Sequence, residues 1–143
     1  MFIGEFEHTV DDKGRIAIPA RFRARLAGGL VVTRGLDGCL FVYPLADWTA
    51  LAERIAALPM TQAGARQFQR LMFAGAADCQ ADGQGRIVLP AYLRQYAGIE
   101  RDAVVIGVHT RVEIWSKARW DEERARVETA GDTIAGQLAS LGI

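Results

Sequence analysis

A chain of 143 residues, half of them apolar, holds enough material for one ordinary core or two very small ones, and it is not a disordered polypeptide. Its 17 Lys and Arg balance its 17 Asp and Glu, so the basic excess of a typical nucleic-acid binder is missing overall and any such footprint has to be local. No stretch approaches the ~20 apolar residues of a membrane span, and Glu5 and Glu7 interrupt the amino-terminal segment where a secretory signal needs an apolar run, which predicts a cytoplasmic protein.

Internal repetition organises everything that follows. Residues 10–23 read VDDKGRIAIPARFR and residues 81–94 read ADGQGRIVLPAYLR, matching at Asp, Gly, Arg, Ile, Pro, Ala and a closing Arg at an offset of 71 residues. Further along, YPLADW from Tyr43 to Trp48 corresponds to WSKARW from Trp115 to Trp120 at an offset of 72. Between these landmarks each copy carries an apolar β-rich run, LVVT from Leu30 and AVVIGV from Ala103, followed by FVY or EIW. Two matches in letters, landmarks and pattern are the mark of an internal duplication.

Each copy opens on a tight turn. In Asp-Asp-Lys-Gly and Asp-Gly-Gln-Gly, the Asp can bond the backbone that follows it, and Gly14 or Gly85 accepts positive φ without a Cβ clash. Arg-Ile-Ala-Ile and Arg-Ile-Val-Leu then read as short strands that stop at Pro19 and Pro90, which have no N–H for a ladder. Proline fits the first turn of a helix, and ARFRARL and AYLRQYA continue as short helices. A second pair of strands ending at Tyr43 or Trp115 completes a unit of about 45 residues, too small to bury much alone, so it needs a partner.

Between the copies, ADWTALAERIAAL and TQAGARQFQRLMF show apolar residues at helical spacing, separated by Pro59, with Thr61 placed to cap the second helix. The tail from Ser116 onward is charge-rich and then apolar every three or four residues, a helix weakened by Gly131 and Gly136. The chain divides into a half-unit over 5–47, a helical linker over 48–75, a second half-unit over 76–119 and a carboxy-terminal helix over 120–143.

Arg15 and Arg86 are the candidate binding residues. Each follows a turn glycine, where a long side chain projects beyond the backbone, and a guanidinium matches both phosphate oxygens and the O6/N7 edge of guanine. Lys13 adds a charge to the first turn, whereas Gln84 stands in the equivalent place of the second and bonds a base edge or phosphate without charge. The first copy continues with Arg21, Arg23 and Arg25, so residues 11–25 hold five basic side chains against two acidic ones, a local basic footprint. The plainer reading is that Asp11–Arg15 and Asp82–Arg86 are turn-stabilising ion pairs and that Arg21, Arg23 and Arg25 form a solvated helix face. The two readings are compatible: Asp11 and Asp82 orient the arginines while the free guanidinium edge faces DNA.

Other chemistry finds little support. Cys39 and Cys79 lie far apart and read as small packed residues, forming neither a disulfide framework nor a zinc spacing. His8 and His109 have no acidic or cysteine neighbour at ligand spacing. Trp48, Trp115 and Trp120 close strands and enter helices at equivalent points, as core anchors do. P-loop, dinucleotide and serine-elbow motifs are absent, so no catalytic residue, cofactor, metal or small-molecule substrate is assigned.

The DxxxR pairs at Asp11–Arg15 and Asp82–Arg86, the amino-terminal MFIGE and the segment DCQADGQGRIVLP resemble the MraZ family over nearly the whole chain. That family is similar to the AbrB/SpoVT swapped-hairpin regulators and the MazE antitoxins but carries two half-units in one polypeptide. The resemblance implies an α+β fold with a mainly β core and flanking helices, a pseudo-symmetric, swapped-hairpin, double-psi-like barrel built from two tandem AbrB-type halves. It implies a non-enzymatic, nucleoid-associated repressor of the division and cell-wall gene cluster. Such a repressor forms a homo-oligomeric ring and binds short direct repeats of double-stranded DNA upstream of its own gene. In the family the DxxxR turns face DNA, which passes that role to Arg15 and Arg86, with Lys13 and Gln84 beside them and Asp11, Gly14, Asp82 and Gly85 shaping the turns. An antitoxin-like autoregulator and an oligomeric scaffold for acidic proteins are the alternatives.

Overall fold

The computed structural model describes residues 1–143. Five helices and eight strands follow one another, with two copies of one strand–turn–strand–helix–hairpin unit legible in their order. The first copy comprises β1 (Phe2–Thr9), β2 (Arg15–Ala17), α1 (Ala20–Leu26), β3 (Leu30–Arg34) and β4 (Leu40–Pro44). Helices α2 (Leu45–Ala56) and α3 (Ala63–Gly75) come next. The second copy comprises β5 (Ala77–Cys79), β6 (Arg86–Val88), α4 (Ala91–Ala97), β7 (Asp102–His109) and β8 (Arg111–Ser116), and α5 (Lys117–Gln137) ends the chain before a short 3-10 turn.

Neither copy closes a sheet of its own. The main sheet is antiparallel with strand order β1-β7-β8-β4-β3-β5, and β2 pairs with β6 in a separate two-stranded ribbon. The first copy's opening strand therefore pairs with the second copy's β7, with Phe2 opposite His109 and Thr9 opposite Asp102. Reciprocally, β5 of the second copy pairs with β3 of the first, and β4 meets β8 at the centre. This exchange answers the problem of a half-unit too small to hold a core: each half supplies the strand that covers the other. The result is an α+β architecture with a mainly antiparallel β core and helices on both faces.

The two faces of the sheet carry different cores. One face packs Leu30, Val32, Leu40, Val42, Val105, Val112 and Ile114 against the β2–β6 ribbon and the short helices α1 and α4, all within one buried cluster. Phe22 of α1 stands edge-on to Phe2 and Phe6 of β1, with ring centroids 5.2 and 5.4 Å apart. The opposite face is aromatic. Phe41, Tyr43, Val104, Ile106 and Trp115 are covered by Ile55 of α2 and Met72 of α3, with Trp48 and Trp120 packed alongside. Trp48, Trp115 and Trp120 thus act in packing. β1 comes so close to β7 that a Cβ at Gly107 would collide with the backbone of Phe2 and Ile3, and Gly107 sits directly opposite Gly4.

Local expectations are adjusted in three places. Pro19 and Pro90 stand at the cap position immediately before their helices rather than inside the first turn, with ψ near 136 and 146°. Helix α3 begins after Gln62, not after Thr61, and has no side-chain cap; Gln62 N–H instead turns back to the Pro59 carbonyl at 3.1 Å. Helix α5 runs unbroken through Gly131 and stops after Gln137, capped at its start by the Ser116 hydroxyl, which accepts from Arg119 N–H. Its glycines meet nothing within 4 Å, so they loosen the helix without a steric reason to end it. No helix is long and apolar enough to cross a membrane.

Candidate nucleic-acid interface

The two arginine-bearing turns are built by the same bonds. Asp11 Oδ1 accepts the backbone N–H groups of Lys13 and Arg15, both at 2.9 Å, while its Oδ2 accepts Arg15 Nε at 2.6 Å. Asp82 Oδ1 accepts Gln84 and Arg86 N–H, both at 2.9 Å, and its Oδ2 accepts Arg86 Nε at 2.9 Å. In each turn the Asp and Arg backbones also pair, and the glycine N–H returns to the Asp carbonyl at 2.9 Å. Gly14 and Gly85 take φ of +78° and +76°, the left-handed region a side chain rarely adopts, which is why glycine occupies both.

One aspartate thus satisfies two backbone donors and one guanidinium donor. Those backbone N–H groups, first among them that of the arginine four residues on, hold the Asp11 and Asp82 carboxyls below the ordinary Asp value. Because only Nε of Arg15 and of Arg86 is engaged, both terminal nitrogens, Nη1 and Nη2, have no partner within the protein. That is the geometry of an arginine oriented from behind with its bidentate edge presented outward. The ion pair of each DxxxR motif is thus present and leaves the outer guanidinium edge without a partner.

The β2–β6 ribbon brings the two turns to one surface. Ile16 faces Ile87 across the ribbon, and both are 1% exposed, so they point into the core. Strand alternation then turns Arg15, Ala17, Arg86 and Val88 outward. Arg15 pairs in register with Val88 and Arg86 with Ala17, which sets the two guanidinium groups on one face at opposite corners of the ribbon. Lys13 and Gln84 are exposed at the turn tips and enter the turns only through their backbone N–H groups.

The rest of the basic footprint divides. Arg25 is engaged elsewhere: its guanidinium lies over the Phe2 ring, 4.7 Å from the centroid, and reaches Asp47 at 3.5 Å. Arg21 is exposed and makes no ion pair within the protein. Arg23 is exposed, as a solvated helix face requires, and in addition donates Nε to the Ile18 carbonyl at 2.9 Å and lies against Gly85 of the other copy. Arg94 does the same with the Leu89 carbonyl at 3.0 Å and Gly14. The sequence places Arg23 only in the general basic footprint and gives Arg94 no role, although both copies of the repeat end on that arginine. His8 lies near Arg23, and burial first, then that charge, lowers its pKa and keeps it neutral at physiological pH. Burial pushes the Cys39 thiol up, with Sγ donating to the Leu36 carbonyl, and raises Cys79 to about 11, so both are unreactive packed residues.

Comparison with known proteins also finds two successive matches along the chain. A family model described as "MraZ protein, putative antitoxin-like" fits twice, over residues 1–71 and 72–133. The chain is 52% identical over 143 residues to a transcriptional regulator MraZ of Desulfitobacterium hafniense strain Y51, with the whole of both chains covered. It is 48% identical to the proteins of that name from Moorella thermoacetica, again over all of both chains, and from Pelotomaculum thermopropionicum, over all of this chain and 99% of the relative. A repeated fold unit, a repeated turn and a repeated family match over the full length agree, and the chain belongs to the MraZ family, whose curated relatives named here are transcriptional regulators.

Proposed function

We propose that this protein regulates transcription as a sequence-specific repressor, using the outward edges of Arg15 and Arg86 to contact double-stranded DNA at short direct repeats upstream of its own gene, at the head of the division and cell-wall cluster. The observation that carries the reading is the twin turn: two guanidinium groups on one ribbon, each held from behind by its Asp through Nε with Nη1 and Nη2 free. Lys13 adds a phosphate contact at the first turn, and Gln84 adds an uncharged hydrogen-bonding group at the second. Because the subunit is neutral overall, strong binding comes from several subunits in a ring meeting successive repeats, which raises the effective concentration of each turn at its site. Such a protein works in the cytoplasm on the nucleoid.

Fluorescence anisotropy on a labelled duplex from the protein's own upstream region, against a scrambled duplex across a salt series, tests the reading. Wild type is expected to prefer the upstream duplex, and Arg15→Ala or Arg86→Ala to weaken that binding by about 5- to 150-fold, the range of one bidentate contact, with circular dichroism unchanged. Equal binding to both duplexes, or none, would instead point to a scaffold for acidic proteins.

A further inference from the structure

We infer that Arg23 and Arg94 are positioning residues acting across the duplication: Arg94 of the second half sets the DNA-facing turn of the first, and Arg23 of the first half sets that of the second. The inference rests on the DNA-binding reading for its functional consequence and on geometry alone for the brace itself. Gly14 O accepts Leu89 N–H at 2.8 Å, and the carbonyl of that same Leu89 accepts Arg94 Nε at 3.0 Å. A Cβ at Gly14 would lie 3.2 Å from both Nε and Nη2 of Arg94, so the guanidinium is packed against the turn. The mirror arrangement is present: Gly85 O accepts Ile18 N–H at 2.8 Å, Ile18 O accepts Arg23 Nε at 2.9 Å, and a Cβ at Gly85 would run into Arg23 and lie 2.6 Å from its Cζ. The same three-part brace occurring twice, each time reaching over to the other half, is a designed contact of the fold rather than a chance one.

The brace explains two features together. The left-handed φ favours glycine at both positions, and the arginine of the other half lies against the Cβ space at Gly14 and within it at Gly85. Neither Arg23 nor Arg94 has a carboxylate partner, unlike Arg15 and Arg86, so each turn carries one guanidinium tied to its own Asp and a second, uncompensated one from the other half. The positive charge beside each turn is therefore set by the opposite half, and a change in one half reaches the binding surface of the other.

The test uses the full-length protein with Arg94→Gln and Arg23→Gln, which keep a polar side chain of moderate length. Amide hydrogen exchange reads the brace without DNA. Arg94→Gln is expected to speed exchange of the Gly14, Arg15 and Leu89 amides by about 5-fold or more while Gly85 and Arg86 stay within ~2-fold, and Arg23→Gln to give the reverse pattern with Ile18 included. Acceleration confined to the variant's own half, or none in either, would overturn the inference. Anisotropy on the upstream duplex then reads the consequence: the loss caused by Arg94→Gln should largely vanish in an Arg15→Ala background yet persist in Arg86→Ala, with the opposite assignment for Arg23→Gln. Full additivity of Arg94→Gln with Arg15→Ala would mean that Arg94 contacts DNA independently, and the positioning role would fall. Crossed exchange patterns in a protein that shows no selective DNA binding would leave the brace standing and remove the DNA-binding reading instead.

Discussion

The two halves of this chain build the same turn and then dress it differently. The five bonds that shape turn one recur in turn two with no donor–acceptor distance differing by more than a few tenths of an ångström, and Arg15 and Arg86 are equally exposed at 29%. Yet Lys13 in one stands where Gln84 stands in the other, and Asp12 where Gly83 stands. The reason is visible in the bonding: Lys13 and Gln84 give the turn only a backbone N–H, so their side chains have no structural duty and are free to diverge. The same contrast runs through the sheet. The strands that meet at its centre and in the ribbon are near-equivalents, whereas the edge strands differ, with β1 eight residues long and β5 three. Duplication holds the halves alike at the centre of the sheet, in the ribbon and in the bonds of the turns, and lets them differ at the turn tips and along the two exchanged edge strands.

The largest test of that likeness lies in the ribbon. Ile16→Ala and Ile87→Ala each remove a side chain that is 1% exposed, and each should cost about 2–5 kcal/mol in urea unfolding with an unchanged m-value. Since the two residues face each other in register, the double variant should fall short of or exceed the sum by ~0.5–3 kcal/mol. A cost well outside that range for one of the two alone would mean that the halves do not share one core, and the comparison would break at its base.

A change of charge sharpens the outward difference. Lys13→Gln makes the first turn like the second, and Gln84→Lys does the converse. If Lys13 meets a phosphate, Lys13→Gln should lower the slope of log affinity against log salt by about 0.9 for each phosphate no longer neutralised, and Gln84→Lys should raise it by a similar amount, while stability stays within ~0.5 kcal/mol. An unchanged slope in both variants would show that the turn tips point away from the nucleic acid.

Much of this was legible in the chain because the duplication repeats letters as well as pattern. Asp-x-x-Gly-Arg followed by an apolar triplet and proline names the turn, the strand and the helix start from local chemistry alone, and the tryptophans at equivalent points announce packing anchors. What local pattern does not carry is partner choice. The apolar runs at Leu30 and Ala103 read as strands, but nothing in them says that β1 crosses to β7 and β5 to β3, since pairing is decided by which exchange buries both halves at once. The contact of Arg23 with the opposite turn is hidden for the same reason: on a helix it reads as solvated, and only the fold brings the other half's Gly85 against it. Thr61 looked like a cap because Thr is a good one, but the turn closed by Gln62 N–H and Pro59 carbonyl moves the helix start one residue past it.

The smallest effect is the most direct probe of whether the turns are alike. Asp11 and Asp82 are both held below the ordinary Asp value of 3.8, chiefly by accepting the backbone N–H of Arg15 and Arg86. A carboxyl with a lowered folded-state pKa favours the folded turn above the unfolded value, and that contribution is lost only as pH falls through the lowered value. From neutral pH down to about 4, therefore, both turns should keep their geometry, and carboxylate-detected NMR titrations of Asp11 and Asp82 should give midpoints below 3.8, close to each other. The Gly14 and Gly85 amide shifts should move with those midpoints and not before, because each glycine N–H returns to the carbonyl of the titrating residue. A midpoint at or above 3.8 for one aspartate alone would mean that its carboxylate does not accept from the turn backbone in solution, and the halves would then differ in the turn itself rather than in what the turn displays.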